Sequence, residues 1–288
     1  MSNISLNAGP SVSSSTSTSS PRKKILVVLS SADHVDVKKP DGSTVQHKTG
    51  FFLKELAVPL RKLLEAGYEP VFANPKGNEP SLDPMSDSLL WYPTSPSSVN
   101  EDRKLLEEMK ETRGFKTPMR FKDVTAEVLD MCAGVFVPGG HAPMQDLGDD
   151  AELGRVLTHF HGALKPTAVI CHGPIALLST RPEIVLHNKA TDPDGPGLFP
   201  YRGYLVSCYS NREEKANEWM WWGNLEKNCE AALREHGVEV QTAVVPLMEK
   251  VVVDREVVSA ENPTSAGRLG EAFVEMLRKV ERGGSLLE

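Results

Sequence analysis

The stretch Ala168-Val169-Ile170-Cys171-His172-Gly173-Pro174-Ile175-Ala176-Leu177-Leu178 decides how the chain folds. An apolar run stops at a Cys-His-Gly-Pro turn and a second apolar run follows, which reads as strand, tight turn, helix. A turn of that kind projects its first side chain clear of a sheet edge. Gly173 permits the close backbone path, and Pro174 suits a first helical position, where no N–H is needed. Free N–H groups at the start of the new helix would favour a thiolate at Cys171. The same cysteine read alone is equally a small buried hydrophobe. What surrounds it must decide.

Upstream, Lys24-Ile25-Leu26-Val27-Val28-Leu29-Ser30 is a continuous apolar strand, as expected where both faces of a sheet are covered. Residues 33–48 are polar and turn-rich and read as a loop at its C-terminal end. A helix follows over Thr49–Leu64, with Phe52, Leu56, Leu60, Leu63 and Leu64 on one stripe and Gly67 as its stop. Glu55 falls on the apolar side. Buried there its carboxyl stays protonated and can donate, whereas at the stripe's edge it would reach water. Glu69–Ala73 is the second strand. Residues 74–125 break the alternation and read as a cap insertion, with loop over Pro80–Ser98 and a charged, solvated helix over Asn100–Arg113. Gly134–Pro138 is another buried strand, running into Gly139-Gly140-His141-Ala142-Pro143-Met144-Gln145 and a helix over 150–162.

Downstream of Cys171, residues 180–203 read as a Pro/Gly loop, and Tyr204–Ser207 as the next strand, leading to Asn211-Arg212-Glu213-Glu214. Trp219, Trp221 and Trp222 cluster, as a pocket lining, a core or a dimer contact. Asn224–His236 is a helix, Lys250–Val253 and Glu256–Ser259 a hairpin, and Pro263–Val280 the closing helix. Strands alternating with helices give an α/β fold, doubly wound and mainly parallel, with helices on both faces in the flavodoxin-like manner. Residues 22–288 are expected to be one such domain with its cap at about 74–125. Residues 1–21, Ser/Thr-rich and without apolar periodicity, read as a disordered tail.

The 288 residues are 40% hydrophobic and 25% charged, with net charge −7, which disfavours nucleic acid and anionic membranes as partners. Cys132, Cys171, Cys208 and Cys229 show no metal-finger spacing, and His34, His47 and His161 show none either, so no metal or cofactor is expected. No apolar run reaches the roughly 18 residues of a membrane span. With no signal-peptide core, a cytoplasmic or nucleocytoplasmic location is expected.

Five stretches in this order resemble the ThiJ/PfpI superfamily, with its class I glutamine amidotransferase-like fold, in its glyoxalase III and stress-chaperone branch. They are Thr49-Gly50…Glu55, Pro75-Lys76-Gly77, Gly139-Gly140-His141, Ala168…Cys171-His172-Gly173-Pro174 and Glu261-Asn262-Pro263-Thr264-Ser265-Ala266. The resemblance runs from about Lys23 to Val280. It implies Cys171 as nucleophile, Glu55 as a buried donor to the sulfur, and His172 as general acid/base. Glu214 would orient His172, with Glu213 the alternative at a one-residue slip. The backbone N–H groups of Gly140 and His172 would form an oxyanion hole. His141 would sit by the substrate, although a histidine in a Gly-rich turn equally reads as a cap on backbone groups.

The chain departs from the branch pattern at Ala142, where relatives have Gly, at Gln145, where they have Trp, and at Ser207-Cys208-Tyr209. Three functions follow from the resemblance. One is a glutathione-independent glyoxalase on methylglyoxal. Another is a Cys-dependent hydrolase or lyase on a bulkier carbonyl metabolite, and the third a redox-responsive chaperone. A small carbonyl compound is the expected partner, and a homodimer the expected assembly.

Overall fold

A computed structural model describes residues 23–92, 95, 97–186 and 199–287. The expected tail lies outside these residues, as does part of the 180–203 loop. The strands are β1 (Lys24–Val28), β2 (His34–Lys38), β3 (Thr44–Lys48), β4 (Glu69–Asn74), β5 (Met119–Arg120), β6 (Cys132–Val137), β7 (Thr167–Ile170), β8 (Leu205–Val206), β9 (Asn224–Leu225), β10 (Glu239–Val240), β11 (Val251–Asp254) and β12 (Val257–Ala260). The α-helices are α1 (Leu53–Glu65), α2 (Ser98–Thr112), α3 (Ala126–Met131), α4 (Pro143–Asp146), α5 (Ala151–Gly162), α6 (Pro182–Val185), α7 (Asn211–Trp221), α8 (Cys229–Glu235) and α9 (Ala266–Glu281).

Seven strands form the main sheet in the order β11-β12-β7-β6-β1-β4-β5. Every pairing in it is parallel except β11 with β12. The unbroken apolar run of β1 follows from what covers it. Ile25 and Val27 enter the core under α1 and α9, while Leu26 and Val28 enter the opposite core under α5 and α8. β7 divides in the same way, with Ala168 and Ile170 on the first side and Val169 on the second. Strands with helices on both faces have no polar face to show. The sheet is therefore doubly wound. The C-terminal ends of β1, β6, β7 and β12 open on one edge, where such folds gather ligands.

Several expectations are corrected. Residues 33–48 are no simple loop, because β2 and β3 pair as an antiparallel hairpin. Val35 and Val37 alternate with polar residues and are fully buried, and with Leu225 on β9 they make a small core of their own. Among the described residues, β8 pairs with β10 and not with the main sheet. The charged helix α2 is solvated on one side only, since Val99, Leu106 and Met109 are buried and it packs on α1. The Asn224–His236 segment is the short strand β9 followed by α8. The run after Cys171 is a 3₁₀ helix, Gly173–Thr180, with all eight residues buried. Among the described residues, no helix is long and apolar enough to cross a membrane.

Candidate active site

Cys171 follows β7 directly with φ of 60°, a left-handed conformation that a residue with a side chain adopts only under constraint. Two backbone bonds impose it. The Cys171 N–H donates to the Ala260 carbonyl (2.9 Å), and the Tyr209 N–H donates to the Cys171 carbonyl (2.8 Å). The turn after β6 closes over the sulfur. A Cβ at Gly139 would collide with Glu55 Oε2 and Cys171 Cβ, and Gly140, with φ of 91°, would collide with the Gly50 carbonyl. Only glycine lets these three backbones approach. Glu55 arrives from the first turn of α1, and Glu214 from the first turn of α7.

Cys171 is 3% exposed, and Glu55 and His172 not at all. Cys171 Sγ lies 3.3 Å from His172 Nδ1, and His172 Nε2 lies 2.6 Å from Glu214 Oε2. A carboxylate only accepts, so Nε2 carries the imidazole proton and Nδ1 presents its lone pair to the thiol. Burial would raise Glu214. The adjoining His141 and His172 rings outweigh it and hold the carboxyl well below its ordinary range. Burial lowers His172, and neighbouring His141 lowers it further against the pull of Glu214, so the ring rests neutral. Burial lifts Glu55 to about 8 against the Cys171 thiol and the Gly139 N–H, which pull the other way. These two donors bias the carboxyl without completing a hydrogen bond to either oxygen.

The expected thiolate is a correction. Burial, then neighbouring Glu55, push the Cys171 thiol well above its ordinary value, and the Gly140 N–H opposes them only in part. Loss of water outweighs what the short 3₁₀ start supplies. At neutral pH the resting set is a protonated Glu55, a thiol, a neutral imidazole and an ionised Glu214.

The residues singled out from the sequence meet here. The His172 ring, Glu55 and the Gly140 N–H adjoin the Cys171 sulfur, and Glu214 reaches it only through the far side of the His172 ring. Glu213 points away: it forms a capping box with Ser210 and accepts from the Leu247 N–H (2.7 Å) and Asn262 Nδ2 (2.9 Å). The His141 ring lies in the site, its Nε2 3.0 Å from Glu214 Oε1. Ala142 is fully buried, whereas Gln145 is exposed. Of the clustered tryptophans, Trp221 packs edge-on to His141 (4.7 Å), while Trp219 and Trp222 are 83% and 78% exposed.

Asn217 escaped the sequence reading, while Tyr209 entered it only as a departure from the branch pattern and Trp221 only as one of three clustered tryptophans. Tyr209 lies against the His172 ring (4.6 Å), and Asn217 donates to Glu214 Oε1 and to the Tyr209 hydroxyl, both at 3.2 Å. Asn217 and Trp221 follow Glu214 by three and seven residues on one helix face, a spacing that signals only once Glu214 is placed. His141, His172 and Glu214 offer ligand atoms within 4.8 Å of one another, a donor set of the kind that takes a divalent metal. Here the donors satisfy each other through N–H···O bonds.

Residues 47–208, more than half of the chain, match a family model described as ThiJ/PfpI family-like. A glutathione-independent glyoxalase of Schizosaccharomyces pombe is 25% identical over 267 residues, covering 90% of this chain and 98% of its own. A protein/nucleic acid deglycase of Staphylococcus aureus is 26% identical over 241 residues, 81% and 74% of the two chains. Among solved structures, glyoxalase III from Candida albicans superposes with a TM-score of 0.66 at 20% identity, covering 88% of this chain and 97% of that one. A rapid encystment protein of Francisella tularensis superposes at 0.67 with 23% identity, over 88% and 99%.

Proposed function

The chain belongs to the ThiJ/PfpI family, and from that premise we propose that it is a glutathione-independent glyoxalase-type lyase turning a 2-oxoaldehyde such as methylglyoxal into a 2-hydroxy acid. The observation that carries the reading is the Cys171 thiol at 3.3 Å from an unprotonated His172 Nδ1, whose ring Glu214 holds at 2.6 Å. A buried, neutral thiol is not an anionic nucleophile at rest, so base and nucleophile act together.

As the sulfur adds to the aldehyde carbon, its proton passes to His172 Nδ1 and then to the new oxygen, giving a hemithioacetal. The developing negative charge on that oxygen falls to the Gly140 and His172 backbone N–H groups. His172 next removes the hydrogen from the former aldehyde carbon. Protonation of the neighbouring carbon and transfer of the hydroxyl proton give a 2-hydroxyacyl thioester on Cys171. Water cleaves the thioester, returning the thiol and releasing the hydroxy acid, so the net reaction consumes one water. Glu55, protonated, donates to the sulfur whenever it carries charge.

The resemblance of the S. pombe glyoxalase supports this chemistry. Of the features that suggest a bulkier substrate, Gln145, the 180–203 loop and the tryptophan cluster, Gln145 is exposed, as are Trp219 and Trp222. A homodimer in the cytoplasm completes the reading. The test is purified protein with methylglyoxal and no glutathione. Lactate should form with wild type and not with Cys171→Ser, and no lactate from wild type would defeat the proposal.

A further inference from the structure

Glu214 serves two imidazoles. Its Oε2 accepts from His172 Nε2, and its Oε1 accepts from His141 Nε2 and Asn217 Nδ2. The two rings lie 4.1 Å apart, and Trp221 backs the His141 ring. We propose that His141 is a positioning residue. Acting through Glu214, it fixes which nitrogen of His172 carries the proton. The inference rests on Cys171 and His172 being the reacting pair, and it assigns His141 no contact with substrate.

The argument is one of donors and acceptors. A carboxylate as buried as Glu214 must have its lone pairs met. With His141 in place each oxygen has an imidazole N–H, and the carboxylate stays ionised. Without that N–H, Oε1 keeps only the Asn217 amide, and binding a proton becomes the cheaper way to satisfy the group. A protonated Glu214 is a donor. It would donate a hydrogen bond to His172 Nε2, which can accept only with the imidazole's single proton on Nδ1, the pair having then gained one proton from solvent. That nitrogen faces Cys171 Sγ. As an N–H it cannot take the thiol proton, so the base is lost although no atom need move far.

His141 also follows directly on Gly140, whose N–H points at the sulfur. One turn thus sets the anion-binding N–H and the tautomer of the base together.

The test compares His141→Ala and His141→Asn, which remove the donor, with His141→Gln, whose longer amide restores an N–H toward Oε1. Nitrogen-15 NMR of labelled protein reads the His172 tautomer without substrate. The expected result is Nε2–H in wild type and His141→Gln, and Nδ1–H or a mixture in the shortened variants. Turnover should fall in kcat by on the order of 10²-fold for Ala and Asn, as misplacing a catalytic group does, with KM changed less than about threefold. Gln should recover most of it. An unchanged His172 tautomer in the shortened variants overturns the proposal. So does a Gln variant as slow as Ala with the tautomer intact in both, because His141 would then act on substrate. The NMR result stands by itself if wild type makes no lactate, which separates failure of this inference from failure of the glyoxalase reading.

Discussion

At the scale of single residues, the two adjacent glutamates at the start of α7 are the sharpest contrast. Glu214→Gln keeps the shape but loses the charge that supports a protonated His172. Turnover of methylglyoxal should fall about 10²-fold or more with little change in melting temperature. Glu213→Gln leaves the reacting atoms alone and damages the capping box and the bonds to Leu247 and Asn262. It should cost about 1–3 kcal/mol of stability by denaturant titration, while the folded fraction keeps its kcat. Glu55 makes a second, independent prediction. Its folded value of about 8 lies above the 4.5 of an ordinary glutamate. The folded state therefore holds a proton that the unfolded chain has lost, and stability from this group declines as pH rises between those values. The slope is at most about 1.4 kcal/mol per pH unit. Glu55→Gln has no proton to lose, so its stability relative to wild type should grow from pH 5 to pH 8. A constant difference across that range would show that Glu55 is ionised in the fold.

At the scale of elements, the β2–β3 hairpin with β9 has a core separate from the main sheet. Val35→Ala should speed amide exchange across these three strands by local opening while leaving β1, β6 and β7 protected. This is also where the sequence was hardest to read. His34–Lys38 alternates over only five residues, and the polar residues around it mask the period, although Pro40-Asp41-Gly42 is a turn signal. β8 offered an apolar pair but no sign of its partner, because pairing is a property of the assembled fold. The helix read after Cys171 is present, but as 3₁₀ rather than α, a distinction that a segment buried on every side gives no periodicity to make. The central strands were legible for the opposite reason, since only doubly covered strands are apolar throughout. Glu55 was legible because a charge inside an apolar stripe contradicts its surroundings. Tyr209 and Trp221 stood out in the sequence without a partner to explain them, Asn217 did not stand out at all, and only the folded position of Glu214 gives the three their meaning.

At the scale of the whole molecule, two cores on opposite faces of one sheet hold the edge on which the site is built. Phe273 on α9 is fully buried and reaches the Phe136 ring at 6.5 Å. Phe273→Ala should cost about 3–5 kcal/mol, read as a lower melting temperature, through the cavity it leaves. Measured well below the new midpoint, the folded enzyme should keep its kcat, because the sheet edge is still assembled.

The ionised Glu214 has a consequence for traffic through the site. On the proposed reaction a 2-oxoaldehyde would enter uncharged, whereas a 2-hydroxy acid would be born as an anion in a pocket whose resting charge is already negative. Two like charges about 5 Å apart at an effective dielectric of about 20 repel by roughly 3 kcal/mol. The same carboxylate that readies the base would thus eject what the base has made, and the site would work as a one-way valve. Lactate should accordingly be a poor product inhibitor, with an inhibition constant far above the KM for methylglyoxal, and Glu214→Gln should bind lactate more tightly than wild type does.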